Sequence, residues 1–414
     1  MPAAAAAPTA AGRSVPAAAA AAPTVRCPRV APAPAVKRPP RPTPPAADPV
    51  LRTVGGDDLA TPGLVVPPGA KPPPALTATS WLVADLDSGA VVGGCGPHEY
   101  SPPASVQKLL LAATVLPRLD PARVATVTRQ DLHFEAGSSA VGLLLGGKYR
   151  VDLLWTGLLL NSGNDAANVL ARLGGEAAGV PGTMAAMNAK ARELGAYQTH
   201  AVTPSGLDAP GQFTSAYDLA LIARACFADP TFRRYQTTQR AQIPPQPPKD
   251  KKGFQIQNDN RLLFEYPGAL GGKTGFTDIA RHTYVGFAER GGRRLVVTLL
   301  GAEARPLRGW QQGAALLDWG FAQPANASVG RLVAPGEPAP QPTPTGQDST
   351  AADSRPVAQH SQTTPTRSQT LVPASAWTTG AAVGVAVALV LGPLVVLLVT
   401  RRGRRARVGS RGSG

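Results

Sequence analysis

Proline sets the outer limits of what this chain can fold into. Of its 44 prolines, 19 lie in residues 1–78 and seven more in residues 331–370. Proline lacks a backbone N–H and fixes φ, so such Ala/Pro/Thr stretches build neither helix interiors nor central strands. They also carry too little apolar surface to offset chain entropy, and both ends read as disordered. A folded domain is expected over about 79–325, preceded by a disordered region 1–78 and followed by a Pro/Thr/Ser-rich linker 326–376. The middle segment is long enough for one enzyme-sized core.

The net charge of +15 invites a nucleic-acid reading, but its distribution argues against one. Residues 1–78 carry 8 basic and 3 acidic side chains, residues 79–325 carry 24 and 20, and the tail 401–414 carries 6 and none. Most of the excess sits in the flanks, whereas a nucleic-acid binder places a basic face on the folded domain. Three cysteines (Cys27, Cys95, Cys226) and five scattered histidines show no CxxC or HxxxH spacing, so neither a metal site nor any cofactor is expected. Cys95 and Cys226 could pair in an oxidising compartment, but free or buried thiols are the expectation.

Residues 377–400, WTTGAAVGVAVALVLGPLVVLLVT, hold no charge and are long enough as a helix to cross a bilayer. Arg401, Arg402, Arg404, Arg405 and Arg407 follow directly. Positive flanks stay cytoplasmic, so the expectation is a single-pass protein of the cell membrane with tail 401–414 inside and the folded domain outside. Residues 1–25 nevertheless lack a recognisable export signal, with no leucine-rich stretch and prolines at 8, 16 and 23. The linker would span on the order of 40 Å as a coil, enough to carry the domain away from the lipid.

Inside the domain, residues 79–92 read as two strands joined at Asp87–Ser88–Gly89. Helices are expected over 105–116, 151–160, 165–173, 181–194 and 215–227, with caps at Asn164, Gly182 and Thr214. Strands follow at 271–276, 284–289 and 293–300, with Gly291–Gly292 as a hairpin turn, and a helix near 307–321 closes the domain. Strands from both chain ends around a block of helices predict an α/β class: a five-stranded antiparallel sheet flanked by helices, with an all-helical insert.

Three short motifs carry chemistry. Ser105-Val106-Gln107-Lys108 opens a helix, and at i, i+3 the hydroxyl and the ammonium share one face, so an amine can take the serine's proton. Alone this is weak, since ~0.4 SxxK matches arise by chance from the serine and lysine content. Ser162-Gly163-Asn164 lies between two helices, where the glycine lets a tight turn aim both polar side chains one way, although the same residues serve as ordinary cap chemistry. Lys273-Thr274-Gly275 sits on a predicted strand, Lys273 and Gly275 facing one side and Thr274 the other, with the glycine leaving room for a ligand backbone.

In this order the motifs form the signature of penicillin-binding enzymes and serine β-lactamases. The segments PPASVQKLL, GSSAVGLLLGGKYRVDLL, LLNSGNDAAN, TPSGLDAPGQFTSAYDLALIARA and GGKTGFTD closely resemble the serine-type D-alanyl-D-alanine carboxypeptidases, the low-molecular-mass penicillin-binding proteins of peptidase family S11. The resemblance implies a penicillin-binding, β-lactamase-like fold and an acyl-enzyme on Ser105, with Lys108 as base and Ser162 relaying a proton. It implies that Asn164, Lys273, Thr274 and Gly275 bind substrate, and that the backbone N–H groups of Ser105 and Phe276 form an oxyanion hole. The implied substrates are peptidoglycan stem peptides ending in D-Ala-D-Ala, with β-lactams acylating Ser105. Gln107 and the pair Ala280–Arg281 depart from the family pattern, which has small residues at the latter. A class A β-lactamase would carry an ExxLN segment after Ser162, and Glu193-Leu194-Gly195-Ala196-Tyr197 does not fit it. A non-catalytic peptidoglycan-binding surface protein would have no need of the complete set Ser105, Lys108, Ser162 and Lys273.

Overall fold

A computed structural model describes residues 24–31 and 38–341. The strands are β1 (Leu64–Val65), β2 (Ser80–Asp85), β3 (Ala90–Cys95), β4 (Val124–Thr126), β5 (Lys148–Arg150), β6 (Arg240–Ile243), β7 (Phe254–Gln257), β8 (Ala269–Thr277), β9 (Arg281–Arg290), β10 (Arg293–Ala302) and β11 (Gly330–Arg331). The helices are α1 (Lys108–Val115), α2 (Val151–Leu160), α3 (Asn164–Gly174), α4 (Gly179–Glu193), α5 (Ala216–Ala228), α6 (Pro230–Gln236), α7 (Leu262–Glu265) and α8 (Gly309–Phe321).

Strands β3-β2-β10-β9-β8 form the antiparallel sheet expected from the alternation, and β1 and β11 both pair with β3, so the sheet has seven strands rather than five. Two-residue strands leave no alternation to read, which is why the sequence did not reveal them. β4–β5 and β6–β7 form separate two-stranded ribbons, so the insert between β3 and β8 is not all-helical as expected; strands of three or four residues carry too little alternation to be read. The turn between β9 and β10 takes positive φ at Gly291 (59°) and Gly292 (78°), the pair of angles a two-residue hairpin loop needs.

Strand residues sort by parity. Trp81, Val83, Val297 and Leu299 pack with Leu316 and Leu317 of α8, while Leu82, Ala84, Val296 and Phe287 face the helical block with Leu109, Leu158 and Ile222. Both faces are therefore covered, and the edge strand β8 borders the cleft between sheet and helices. Helix boundaries shift by small amounts. The first helix begins as a 3₁₀ turn at Ala104–Gln107 before α1. Ser215, not Thr214, caps α5 by accepting from the Asp218 N–H, and Asn164 is the first helical residue rather than the cap.

Of the region 1–78 expected to be disordered, residues 24–31 and 38–78 depart from that expectation, and residues 1–23 and 32–37 lie outside the described residues. Cys27 is disulfide-bonded to Cys95 across 68 positions, and Cys226 is free and buried, so neither the Cys95–Cys226 pairing nor three free thiols holds. Closing a loop of that length removes ~4 kcal/mol of unfolded-state entropy. Val54, Leu59 and Leu76 are buried in the domain core. The Val30 N–H donates to the Leu76 carbonyl (3.0 Å) and the Leu64 N–H to the Val25 carbonyl (2.8 Å). Proline is tolerated in such an extended strap because a strap at a sheet edge needs few N–H donors. On the other side, the expected boundary at 325 is too early: Leu332 and Val333 are buried, and the Val333 N–H donates to the Tyr217 hydroxyl (3.1 Å). Among the described residues no helix is long and apolar enough to cross a membrane. The remainder of the linker, the apolar run 377–400 and the tail 401–414 lie outside the described residues.

Candidate active site

Ser105 sits in the 3₁₀ turn that feeds α1, directly after Ala104, which takes a φ of +49°. A side-chain-bearing residue adopts that angle only when its surroundings impose it. The loop at Gly206 packs directly on this turn: a Cβ there would lie 1.9 Å from the Ala104 carbonyl oxygen, and Gly206 itself has a φ of +85°. Only glycine lets the loop close so tightly on the turn that presents Ser105.

Lys108, one turn on, is fully buried. Its Nζ donates to Ser105 Oγ at 2.8 Å, to Asn164 Oδ1 at 2.7 Å and to the Ser205 carbonyl at 2.9 Å. Burial, then the nearby charge of Lys273, hold its pKa well below the ordinary lysine value, with Asp165 opposing. A lowered pKa raises the share of the neutral amine, the form that can accept a proton from the hydroxyl it touches.

Asn164 is held in turn. Its Nδ2 donates to Ser138 Oγ (2.9 Å), its backbone N–H donates to the Ser139 carbonyl (2.9 Å), and Asp165 accepts the N–H groups of Val141, Gly142 and Leu143, each at 2.9 Å. The segment 138–143 thus becomes one wall of the cleft. Ser162 takes a φ of +59°, and its Oγ is buried with no hydrogen-bond partner among the described residues. Such a hydroxyl has its hydrogen-bonding capacity free for a water or a ligand group.

Lys273 on β8 is buried, and burial lowers its pKa to about 7 despite the opposing carboxylate of Asp259. Its Nζ donates to the Thr274 carbonyl (2.6 Å). Gly275 is where strand meets helix: a Cβ there would lie 2.4 Å from Thr283 Oγ1 and 2.8 Å from the Ser105 nitrogen. Thr274 instead lines a groove of about 410 Å³ with His282, Tyr284, Arg305 and Arg308. Phe276 is 48% exposed, its ring against His282 and beneath the Arg281 guanidinium.

Direct hydrogen bonds therefore join Ser105, Lys108 and Asn164, and the charge of Lys273 reaches Lys108 through a shared buried environment. Sequence reasoning missed Ser138, Asp165, Ser205 and Asp259. GSSAVG and TPSG were visible as segments, but nothing in their composition says which serine approaches a lysine. Arg281, which departs from the family pattern, has a structural partner: it forms a two-pronged pair with buried Glu303 (3.1 Å from both Nε and Nη2) at a φ of +59°. No group of His, Cys, Asp or Glu able to hold a metal occurs among the described residues.

With this geometry in place, comparison with known proteins is direct. The family described as D-alanyl-D-alanine carboxypeptidase, peptidase S11, matches residues 68–304. The D-alanyl-D-alanine carboxypeptidase DacB2 of Mycobacterium tuberculosis is 47% identical over 273 residues, 65% of this chain and 90% of that protein. The Salmonella typhimurium carboxypeptidase DacD is 34% identical over 61% of this chain, which spans 64% of that longer protein. Among solved structures, a D-alanyl-D-alanine carboxypeptidase from M. tuberculosis superposes with a TM-score of 0.61 at 45% identity, covering 65% of this chain and all of that one. The DD-transpeptidase of Streptomyces K15 gives 0.58 at 27% identity, covering 61% of this chain and 99% of its own. The α/β fold is that of penicillin-binding proteins, with antiparallel sheet and flanking helices as expected.

Proposed function

The chain belongs to the peptidase S11 family of D-alanyl-D-alanine carboxypeptidases, and on that premise we propose that it removes the terminal D-alanine from peptidoglycan stem pentapeptides through an acyl-enzyme on Ser105. The observation that carries this reading is the 2.8 Å contact between Ser105 Oγ and the Nζ of a buried lysine of lowered pKa. Ser105 Oγ attacks the carbonyl between the two D-alanines as its proton passes to Lys108. The backbone N–H groups of Ser105 and Phe276 take the developing oxyanion charge. The proton then moves from Lys108 through the Ser162 hydroxyl to the leaving amine, and the C–N bond breaks. Water, deprotonated by the same lysine, cleaves the ester and regenerates Ser105. Asn164 keeps Lys108 aimed, Lys273 receives the terminal carboxylate that an exopeptidase must recognise, and Gly275 leaves room for the substrate backbone beside the strand, with the Thr274 hydroxyl on the groove side of β8. β-Lactams acylate Ser105 by the same first step.

The same proposal places the domain outside the cell membrane. The uncharged run 377–400 with its arginine-rich flank supports a single spanning helix with a cytoplasmic tail. The Cys27–Cys95 disulfide supports an oxidising compartment. Intact mass after incubation with labelled penicillin, followed by peptide mapping, tests the nucleophile. One adduct on Ser105, and D-alanine release from a pentapeptide that disappears in Ser105→Ala, are expected. Label on any other residue overturns the assignment.

A further inference from the structure

β8 is the edge strand of the sheet, and its outer backbone groups are the ones a peptide can pair with. If the carboxylate of the last D-alanine sits at Lys273 and the attacked carbonyl lies at Ser105 and Phe276, the substrate runs antiparallel to β8. Its preceding residues then pass Thr277, at about 3.3 Å per residue. That end of the cleft is built. Thr277 Oγ1 donates to Asp208 Oδ1 at 2.8 Å, joining the last residue of β8 to the loop that also supplies Ser205 and Gly206. Beside this clasp lies a cavity of about 230 Å³ lined by Pro42, Pro102, Ala209, Pro210, Ile279 and Asp208. It is several times the ~30 Å³ share of a water molecule. Pro102 is three positions before Ser105, and Ile279 lies in the turn that follows Thr277, so the cavity continues the acylation site directly.

Pro42 comes from the amino-terminal strap, which precedes the family match at residue 68. The strap is anchored next to this turn by Arg38, 2.5 Å from Glu303, the same buried carboxylate that Arg281 grips from the turn itself. Apart from Gln212 the lining is apolar except for Asp208, and among the described residues no cation lies within ion-pair distance of Asp208. An aliphatic stem suits the proline walls, and a terminal cation suits the carboxylate.

We propose that residues 38–45 close a pocket for the side chain of the substrate residue that precedes the D-alanyl pair, and that Asp208 receives an amine carried there on an aliphatic stem. This rests on the carboxypeptidase reading above and adds a specificity determinant to it. The test uses the full chain and three peptides: Nα-acetyl-L-lysyl-D-Ala-D-Ala with a free ε-amine, the same peptide with that amine acetylated, and the norleucyl analogue. The native chain is expected to favour the free amine over both others by roughly tenfold in kcat/KM. Asp208→Asn is expected to bring the ratios close to one, whereas Pro42→Trp, filling the cavity, lowers kcat/KM for the lysyl and norleucyl peptides alike. Equal rates on all three peptides in the native chain, or a preference that survives Asp208→Asn, overturn the pocket while leaving the carboxypeptidase in place. No release from any peptide together with no penicillin adduct on Ser105 overturns the catalytic reading and the pocket with it.

Discussion

The two sides of the cleft hold their functional groups by different means. On the helical side, Ser105, Lys108, Asn164, Ser138 and Ser205 form a continuous hydrogen-bonded chain with distances of 2.7–2.9 Å. On the sheet side, among the described residues Lys273 bonds only to its neighbour's carbonyl, and it acts on the other lysine through the electric field of a shared buried space. On the reading proposed above, the nucleophile is thus assembled before substrate arrives, while the strand supplies the charge that would meet the substrate itself. Lys108 is wrapped by acceptors, whereas Lys273, titrating at about 7, is about half charged at neutral pH.

That contrast can be broken at three points. Lys108→Met removes the acceptor for the Ser105 proton and is expected to slow both D-alanine release and penicillin acylation by ~10⁴-fold. A loss smaller than tenfold would mean that another base serves Ser105. Gly275→Ala attacks the seam between the two sides, since its methyl would overlap Thr283 Oγ1 and the Ser105 nitrogen. A displacement of about 1 Å there costs on the order of 10² in acylation rate, measured with a chromogenic β-lactam. An unchanged rate would show that the seam does not set the geometry. The mildest test is pH. Lys273 titrates at about 7, is charged below that value and neutral above it, so carboxylate binding weakens as pH rises. The KM of a D-Ala-D-Ala peptide should rise roughly fivefold from pH 7 to 8, while that of a substrate ending in an amide stays flat. Parallel behaviour of the two substrates would remove Lys273 from carboxylate binding.

The strap and the catalytic seam also differ in how far the sequence exposes them. The i, i+3 spacing of Ser105 and Lys108 is legible because helix geometry alone puts both side chains on one face. The strand carrying Lys273 is legible from its glycines and its neighbours, and the hairpin at Gly291–Gly292 from turn chemistry. Ser138 and Asp165 were not, because a serine or an aspartate in a loop gains a role only from what packs beside it. The strap misled the reading for a physical reason: proline-rich composition predicts disorder when a segment must find its own core, and this segment uses the domain's core through Leu59 and Leu76 and the disulfide to Cys95.

Local spacing and turn chemistry made the main strands, the helices and the i, i+3 pairing of Ser105 with Lys108 legible, since each depends on residues a few positions apart, while Asn164 and Lys273 were singled out only by the order of the three motifs and the family resemblance they carry. Only the tertiary structure decided that Lys108 is buried beside a second cation, that Cys27 is the partner of Cys95, and that Arg281 and Arg38 share one carboxylate. Desolvation, charge coupling and disulfide pairing depend on distances through space, and residues far apart in the chain acquire those distances only when it closes.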